Sequence, residues 1–108
     1  MPIPDFQTIM LPLLKLASDQ KEHSTSEFLE LLANEFRLTD EEKAMMLPSG
    51  TQRIFSNRVH WAKAYLKMGG LIENIQRGFF KITQRGLQTL KEKPEKINLQ
   101  YLKRFPVI

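Results

Sequence analysis

The sequence predicts an α+β domain that is mostly helical, with a three-helix core, a two-stranded hairpin and extra C-terminal helices. Three stretches repeat apolar residues every three or four positions, which is typical of amphipathic helices. Two short apolar runs are separated by three residues that include a glycine, which is typical of a hairpin. The chain has 108 residues, of which 42% are hydrophobic. This length suffices for one core and excludes a two-domain enzyme.

The first helix is predicted from an apolar stripe that begins after Asp5. Asp5 is a suitable N-cap, and Pro12 inside the stripe removes one backbone hydrogen bond. The stripe has the spacing of one helix face: Phe6, Ile9, Met10, Leu13, Leu14 and Ala17.

Two capping boxes mark the next helical segments. Ser24 and Glu27 have the spacing at which a hydroxyl and a carboxylate satisfy the free N–H groups of a helix start. Thr39 and Glu42 repeat this spacing before a shorter helical turn. Residues 47–50, with a proline and a glycine, end that turn.

The third helix is predicted from about Gln52 to Met68, where no acidic residue occurs. Trp61 and Tyr65 stand beside its apolar seam, and their spacing favours core positions over contacts with a partner. Gly69 and the glycine after it stop the helix. The seam itself consists of Phe55, Val59, Ala62 and Leu66.

The hairpin is predicted from the apolar runs 71–75 and 79–82, which flank Gln76, Arg77 and Gly78. Neighbours on a strand point to opposite sides of the sheet. One of the two phenylalanines that open the second run, Phe79 and Phe80, must therefore point outward.

Beyond the hairpin, Thr83 can cap a short helix in which Gly86 costs some helix propensity. A charged, solvated linker follows. We assign residues 1–90 to the main domain and residues 91–108 to this linker and a short C-terminal helix that leads toward an absent domain. That helix could dock on the domain, on a second copy or on a missing segment. It is predicted from three apolar residues at every fourth position: Ile97, Tyr101 and Phe105.

The charge of the chain is divided unevenly. Residues 1–50 carry four basic and nine acidic residues, a net charge of −5, whereas residues 51–108 carry twelve and three, a net charge of +9. The total of +4 hides this switch. A small domain with such an asymmetry has one basic face, which is typical of a phosphate-binding surface.

The order helix, helix, short turn, helix, hairpin, helix is that of a winged helix-turn-helix domain, in which the third helix enters the DNA major groove and the hairpin is the wing. An inserted helix must be free of acids, as this one is. A solvated face is the alternative interpretation of such a stripe, and ordinary loop charge is the alternative for Arg77. The predicted base contacts are Arg53, Ser56, Asn57 and His60. The predicted phosphate contacts are Ser49, Gly50, Thr51, Gln52, Arg58, Lys63, Lys67, Gln76, Arg77 and Lys81.

The chain resembles the N-terminal domain of Mrr-type restriction proteins. The resemblance is carried by residues 1–17, 47–66, 70–73, 78–83 and 101–106, and therefore runs nearly from end to end. It implies a winged-helix DNA-binding domain that is joined to a C-terminal nuclease domain and directs it to DNA with methylated bases. This chain would be the targeting half. Its ending, Phe105-Pro106-Val107-Ile108, also favours a fragment.

No catalytic constellation is evident, and we expect no catalysis, cofactor or metal. Restriction nucleases hold a divalent metal between an Asp and a (D/E)-x-K motif. The candidates here, Asp5 with Glu41 and Lys43, fall in helical segments of the acidic half. His23 and His60 are far apart, and there is no cysteine. Without an export signal or an apolar span, the chain is expected to be cytoplasmic.

The sequence therefore predicts the DNA-targeting domain of a modification-dependent restriction endonuclease. Its expected partner is double-stranded DNA, and the resemblance implies methylated bases as the target. Two alternatives stay open. One is a stand-alone transcriptional regulator that forms a homodimer through residues 97–105. The other is a winged-helix module that binds an acidic protein.

Overall fold

The computed structural model describes residues 3–105 of the chain. The helices are α1 (Phe6–Leu16), α2 (Thr25–Glu35), α3 (Asp40–Ala44), α4 (Ile54–Met68), α5 (Gln84–Lys91) and α6 (Leu99–Leu102). The strands are β1 (His23–Ser24), β2 (Ile72–Gln76) and β3 (Phe79–Ile82), and they form one small antiparallel sheet. The predicted α+β class with a majority of helix is confirmed. Pro106, Val107 and Ile108, on which the expectation of a fragment depended, lie outside the described residues.

The core lies where α1 packs against α2 and α4, and β2 of the sheet packs against α4. The predicted stripe of α1 supplies the central layer, with Ile9, Leu13 and Leu14 fully buried. Phe28 of α2 meets Phe80 of β3 edge to face, with ring centroids 4.9 Å apart. This pair joins the helical layer to the sheet, so the position of the hairpin depends on the helices.

Helix α1 forms where the sequence predicts it. The Asp5 carboxylate accepts the Thr8 N–H at 2.7 Å, as expected of an N-cap. The helix runs through Pro12 and ends in a short 3₁₀ turn, Ala17–Asp19. The missing proline N–H therefore does not divide the helix.

Of the two predicted capping boxes, one is complete. Thr39 Oγ1 accepts the Glu42 N–H at 3.1 Å, and the Glu42 carboxylate accepts the Thr39 N–H at 2.8 Å. Ser24 Oγ likewise accepts the Glu27 N–H at 3.0 Å. The Glu27 carboxylate, however, lies 2.9 Å from the Nδ1 atom of His23. The second hydrogen bond of this capping box is therefore replaced by a contact of the Glu27 carboxylate with His23, which the sequence spacing did not predict.

Strand β1 is absent from the sequence prediction. It has two residues, too few for an alternating pattern, and pairs with β3 in the register His23 opposite Phe80. The strand order is β1-β3-β2, and the β2–β3 ladder is irregular between Asn74 and Gln76. The predicted hairpin is confirmed, with β2 beginning one residue later and extending one residue further than expected.

The C-terminal segment docks on the chain's own domain. Ile97 and Leu102 are 1% and 0% exposed. The Leu99 N–H donates to Gln7 Oε1 at 3.0 Å, which ties the segment to α1. Tyr101 and Phe105 are only partly buried. The expected spacing of four residues therefore predicted the buried position of Ile97 correctly. It did not predict the buried position of Leu102, because α6 is a single turn.

His23 makes the stability of the fold depend on pH. Its ring is 8% exposed, Nε2 lies 2.9 Å from Asp19 Oδ1 and Nδ1 lies 2.9 Å from Glu27 Oε2. Burial lowers the pKa of His23, but the two carboxylates outweigh it, so that the pKa is raised. The stabilisation is present below the unfolded pKa, about 6.5, and is lost as pH rises through the folded pKa.

We expect His23→Gln to remove this pH dependence. Urea unfolding of the unsubstituted chain between pH 5.5 and 8.5 should show the free energy of unfolding falling as histidine deprotonates, whereas the variant should lack that decrease. His60→Gln is the control, since His60 has no carboxylate partner among the contacts described, and it should keep the decrease. Equal slopes in His23→Gln and the unsubstituted chain would contradict the assignment.

Candidate nucleic-acid interface

The connection between α3 and α4 is a tight loop. Met46 and Arg53 pair as an isolated antiparallel bridge, and the Leu47 N–H donates to Gln52 O at 2.8 Å. Helix α4 therefore begins at Ile54, two residues later than predicted, because the bridge holds Arg53 in an extended conformation. The four residues at the loop tip, Ser49–Gln52, lie before the helix.

The loop uses its own polar groups to form the turn. The Gly50 N–H donates to Leu47 O at 2.8 Å, and Gly50 has a φ of +71°, which favours glycine. The hydroxyls of Ser49 and Thr51 lie 2.9 Å apart. Ser49, Gly50 and Thr51 are exposed, and Gln52 is partly exposed. The N–H of Gly50, expected to face a phosphate, is thus engaged within the loop, whereas the hydroxyls stay at the surface.

Helix α4 has a buried face and an outward face. The predicted seam is confirmed, since Phe55, Val59, Ala62 and Leu66 are at most 4% exposed. The outward face follows from the helical period of 3.6 residues and consists of residues that are exposed or partly exposed. Its polar members lie on one stripe: Arg53, Asn57, His60 and Lys67.

Three of the four predicted base-contact residues share this outward face. The Asn57 amide donates to Gln52 Oε1 at 3.1 Å, which connects the helix to the loop. Ser56 lines a small pocket together with Leu29 and Glu30 of α2, and Arg53 at the start of α4 lines the same pocket. Ser56 is partly buried there, whereas Arg53 is exposed.

Two predicted phosphate contacts on α4 are engaged within the chain. The Arg58 guanidinium donates to Ile3 O at 2.7 Å and to Pro4 O at 3.3 Å. Lys63 Nζ donates to Thr25 Oγ1 and lies 4.8 Å from the centroid of the Phe80 ring. Each side chain thus ties α4 to another part of the fold.

A cleft between α4 and β2 is lined by basic and polar groups. Burial, and then the Lys67 charge, lower the pKa of Lys63; burial, and then the Lys63 charge, lower the pKa of His60. Asn74 of β2 completes the lining and was not predicted, because a single amide on a short strand carries no sequence signal. The cleft is therefore cationic and open to solvent.

The hairpin tip is anchored to α2. The Gly78 carbonyl accepts the Thr25 N–H at 3.1 Å, and Gly78 has a φ of +80° in the turn. Gln76 and Arg77 are exposed at this tip. Lys81 stands opposite Glu73 in the ladder, so that a carboxylate partly balances its charge.

The aromatic side chains divide between the core and the surface. Phe80 is buried and Phe79 is 38% exposed, which confirms that one of the pair points outward. Trp61 is 51% exposed, so the expectation of a core position is wrong for this residue. Its ring stacks on Tyr65 at 6.0 Å, and Tyr65 stacks on Phe6 at 5.5 Å.

Comparison with known proteins identifies the family. The family model described as the Mrr N-terminal domain matches residues 6–92. The chain belongs to the Mrr N-terminal domain family. No solved structure matches it.

One curated relative of this Mrr N-terminal domain is the type IV methyl-directed restriction enzyme EcoKMrr of Escherichia coli (strain K12). The two chains are 28% identical over 101 residues, which cover 93% of this chain and 33% of the relative. The chain therefore spans about a third of the length of that relative.

Within residues 3–105, no three His, Asp or Glu side chains come together as metal ligands. Asp5 caps α1, while Glu41 and Lys43 lie in α3. None of the helices in that range has the length and apolar character needed to cross a membrane.

Proposed function

We propose that this chain is a winged helix-turn-helix domain that binds double-stranded DNA, with α4 in the major groove and the β2–β3 hairpin as the wing. One observation carries the proposal: α4 has no acidic residue, and its outward face presents Arg53, Asn57, His60 and Lys67 together while its apolar seam is buried. A groove about 12 Å wide admits one helix between two rows of phosphates, and such a helix needs basic and amide groups on its free side.

The geometry supports a division of roles within this surface. We assign base contacts to Arg53, Asn57 and His60, because they lie on the outward stripe. Arginine can form paired hydrogen bonds with guanine, and asparagine can do so with adenine. Ser56 is partly buried in a pocket beside α2, and we propose no base contact for it.

Phosphate contacts are assigned to the exposed groups that flank the stripe. They are Lys67 at the end of α4, Gln76 and Arg77 at the hairpin tip, and the hydroxyl-rich loop 49–52. Lys63 and Arg58 are engaged by Thr25 and by the backbone of residues 3 and 4. We therefore propose that these two hold α4 in place, and that Lys81 contributes only a weak, partly balanced charge.

Family membership supports a role in a restriction system. The relative's name describes a methyl-directed restriction enzyme, and this chain corresponds to a third of its length. We propose that the chain directs a C-terminal nuclease domain to DNA with modified bases and performs no cleavage itself. We propose that the domain acts in the cytoplasm, because the DNA that it would bind is there.

Salt dependence tests the DNA-binding role. The affinity for a mixed-sequence duplex should fall steeply between 50 and 200 mM salt. In a plot of the logarithm of the binding constant against the logarithm of the salt concentration, each phosphate contact should contribute roughly −0.9 to the slope. Lys67→Ala should reduce the magnitude of that slope by about one. Lys15→Ala, which removes an equivalent exposed charge from α1, is the control and should leave the slope unchanged. A flat salt response would contradict DNA binding through phosphate contacts.

The proposed homodimer through residues 97–105 receives less support. Ile97 and Leu102 are buried against the chain's own core, which leaves the partly buried Tyr101 and Phe105 for a second copy. We therefore favour the targeting domain over a dimeric regulator.

A further inference from the structure

We propose that Trp61 contacts a methyl group that a base displays in the major groove, and that this contact makes the domain prefer methylated DNA. This inference depends on the proposed function, since it requires α4 to lie in the groove. The methyl-bearing target belongs to the proposed function, and the inference adds the residue that would recognise it.

The position of Trp61 on α4 is the first support. Trp61 is 51% exposed and Met68 is 49% exposed. With Asn57 and Ala64 these residues have the spacing i, i+4, i+7 and i+11 of one helix face. Trp61 and Met68 therefore form an apolar edge of the outward face, next to the end of the polar stripe at Asn57.

The rigidity of the indole ring is the second support. Trp61 stacks on Tyr65 with an interplanar angle of 30°, and Tyr65 stacks on Phe6 with an angle of 24°. The ring is thus held from one side by an aromatic ladder that reaches α1, while half of its surface faces solvent. A rigid aromatic surface loses little conformational entropy when it meets a partner.

The chemistry of the groove connects these observations to a ligand. The C5 methyl of thymine lies in the major groove and is read by apolar contact. The methyl groups of 5-methylcytosine and N6-methyladenine project into the same groove and have the same chemistry. Burying one methyl-sized group against a ring corresponds to a roughly fourfold gain in affinity.

The charges around Trp61 decide between DNA and a protein as the occupant. An exposed tryptophan alone would suit either. Here Asn57 precedes Trp61 by one helical turn at the edge of the polar stripe, the other side of the ring contacts Tyr65, and α4 carries no acid. The indole therefore lies at the border between the cationic and amide stripe and an aromatic cluster, where a helix that enters the groove would bring it to the edge of a base, and we therefore commit to DNA.

The test uses three pairs of random-sequence duplex pools, made with cytosine or 5-methylcytosine, adenine or N6-methyladenine, and uracil or thymine. Binding of labelled pools is measured by anisotropy at one fixed salt concentration. We expect a preference of about fourfold or more for the methyl-bearing pool in the cytosine pair or the adenine pair, whereas a response confined to the uracil and thymine pair would show that Trp61 reads thymine and would contradict the preference for methylated DNA. The pair that responds identifies the source of the methyl group.

Two variants test whether Trp61 provides the preference. Trp61→Ala should bind both pools of the responsive pair equally, within about twofold of the weaker pool's affinity for the unsubstituted chain. Trp61→Phe, which keeps an aromatic ring on the ladder, should retain part of the preference and guards against a folding defect in the alanine variant. Leu31→Ala removes an apolar side chain of 37% exposure from α2 and should keep the full preference.

Fluorescence gives a second readout, because Trp61 is the single tryptophan of the chain. Its emission should change more on binding the preferred pool than on binding the other. If every pool binds but none is preferred, or if Trp61→Ala keeps the preference, this inference is wrong and the DNA-binding role stands. If no pool binds, the proposed function itself fails.

Discussion

Arg53→Ala and Asn57→Ala are each expected to weaken DNA binding by about tenfold, and the double variant by about a hundredfold. A paired hydrogen bond to a base edge contributes about 1–3 kcal/mol, which corresponds to this range. Arg53 is the N-cap of α4 and is held by its bridge to Met46, while the Asn57 amide is oriented by Gln52. The bridge fixes the backbone of Arg53 and the hydrogen bond orients the side chain of Asn57, so the loss of either side chain should not be offset by rearrangement of α4.

Matched substitutions separate these effects from loss of charge or polarity. Lys15→Ala removes one positive charge and Asn34→Ala removes one exposed amide, both from helices outside the proposed interface. Both controls should bind as the unsubstituted chain does. Binding is measured by anisotropy at fixed salt on a duplex selected from a random pool. Unchanged affinity in both Arg53→Ala and Asn57→Ala would remove α4 from the interface.

Gly86→Ala is expected to lower the free energy of unfolding by about 3 kcal/mol, the upper part of the usual range for overpacking. A Cβ at this position would fall inside contact distance of the Leu71 carbonyl oxygen and 2.6 Å from Ile82 Cγ1. That oxygen cannot move freely, because it accepts the Thr83 N–H at 3.0 Å. The loss should appear in urea unfolding followed by circular dichroism.

The sign of this effect is informative. Gly86 lies inside α5, where helix propensity alone would make alanine more stable by about 1 kcal/mol. Gly69→Ala is the control, since its Cβ would come closest to the end of the Leu102 side chain, at 3.1 Å, and would lie at ordinary van der Waals distances from the Tyr65 and Leu66 oxygens. We expect that variant to change stability by less than about 1 kcal/mol. A stabilising Gly86→Ala would show that α5 does not pack closely against Leu71.

The helices could be predicted because each is encoded locally. Apolar residues at helical spacing located α1 and the seam of α4, and Asp5, Thr39 and Thr83 were identified as caps from their neighbours alone. The outward stripe of α4 could be predicted for the same reason: once a helix is known, its period places Arg53, Asn57 and His60 on one side.

The features that could not be predicted all depend on contacts between distant parts of the chain. Strand β1 forms because it pairs with β3, which is distant in the sequence. The Glu27 carboxylate contacts His23 instead of completing its capping box. Lys63 and Arg58 carry the same charge as Lys67, but their positions relative to Thr25 and the N-terminal segment engage them within the fold. Their spacing in the sequence contains no information about these partners.

The sequence by itself determined the α+β class, the order of the elements, the basic second half and the acid-free third helix, because periodicity, caps and charge are local properties. Only the tertiary structure decided which basic side chains remain exposed, that the space at Gly86 is too small for a Cβ atom, and that Trp61 lies at the surface. Each of these depends on what packs against a residue, and packing partners are selected by the folded chain as a whole.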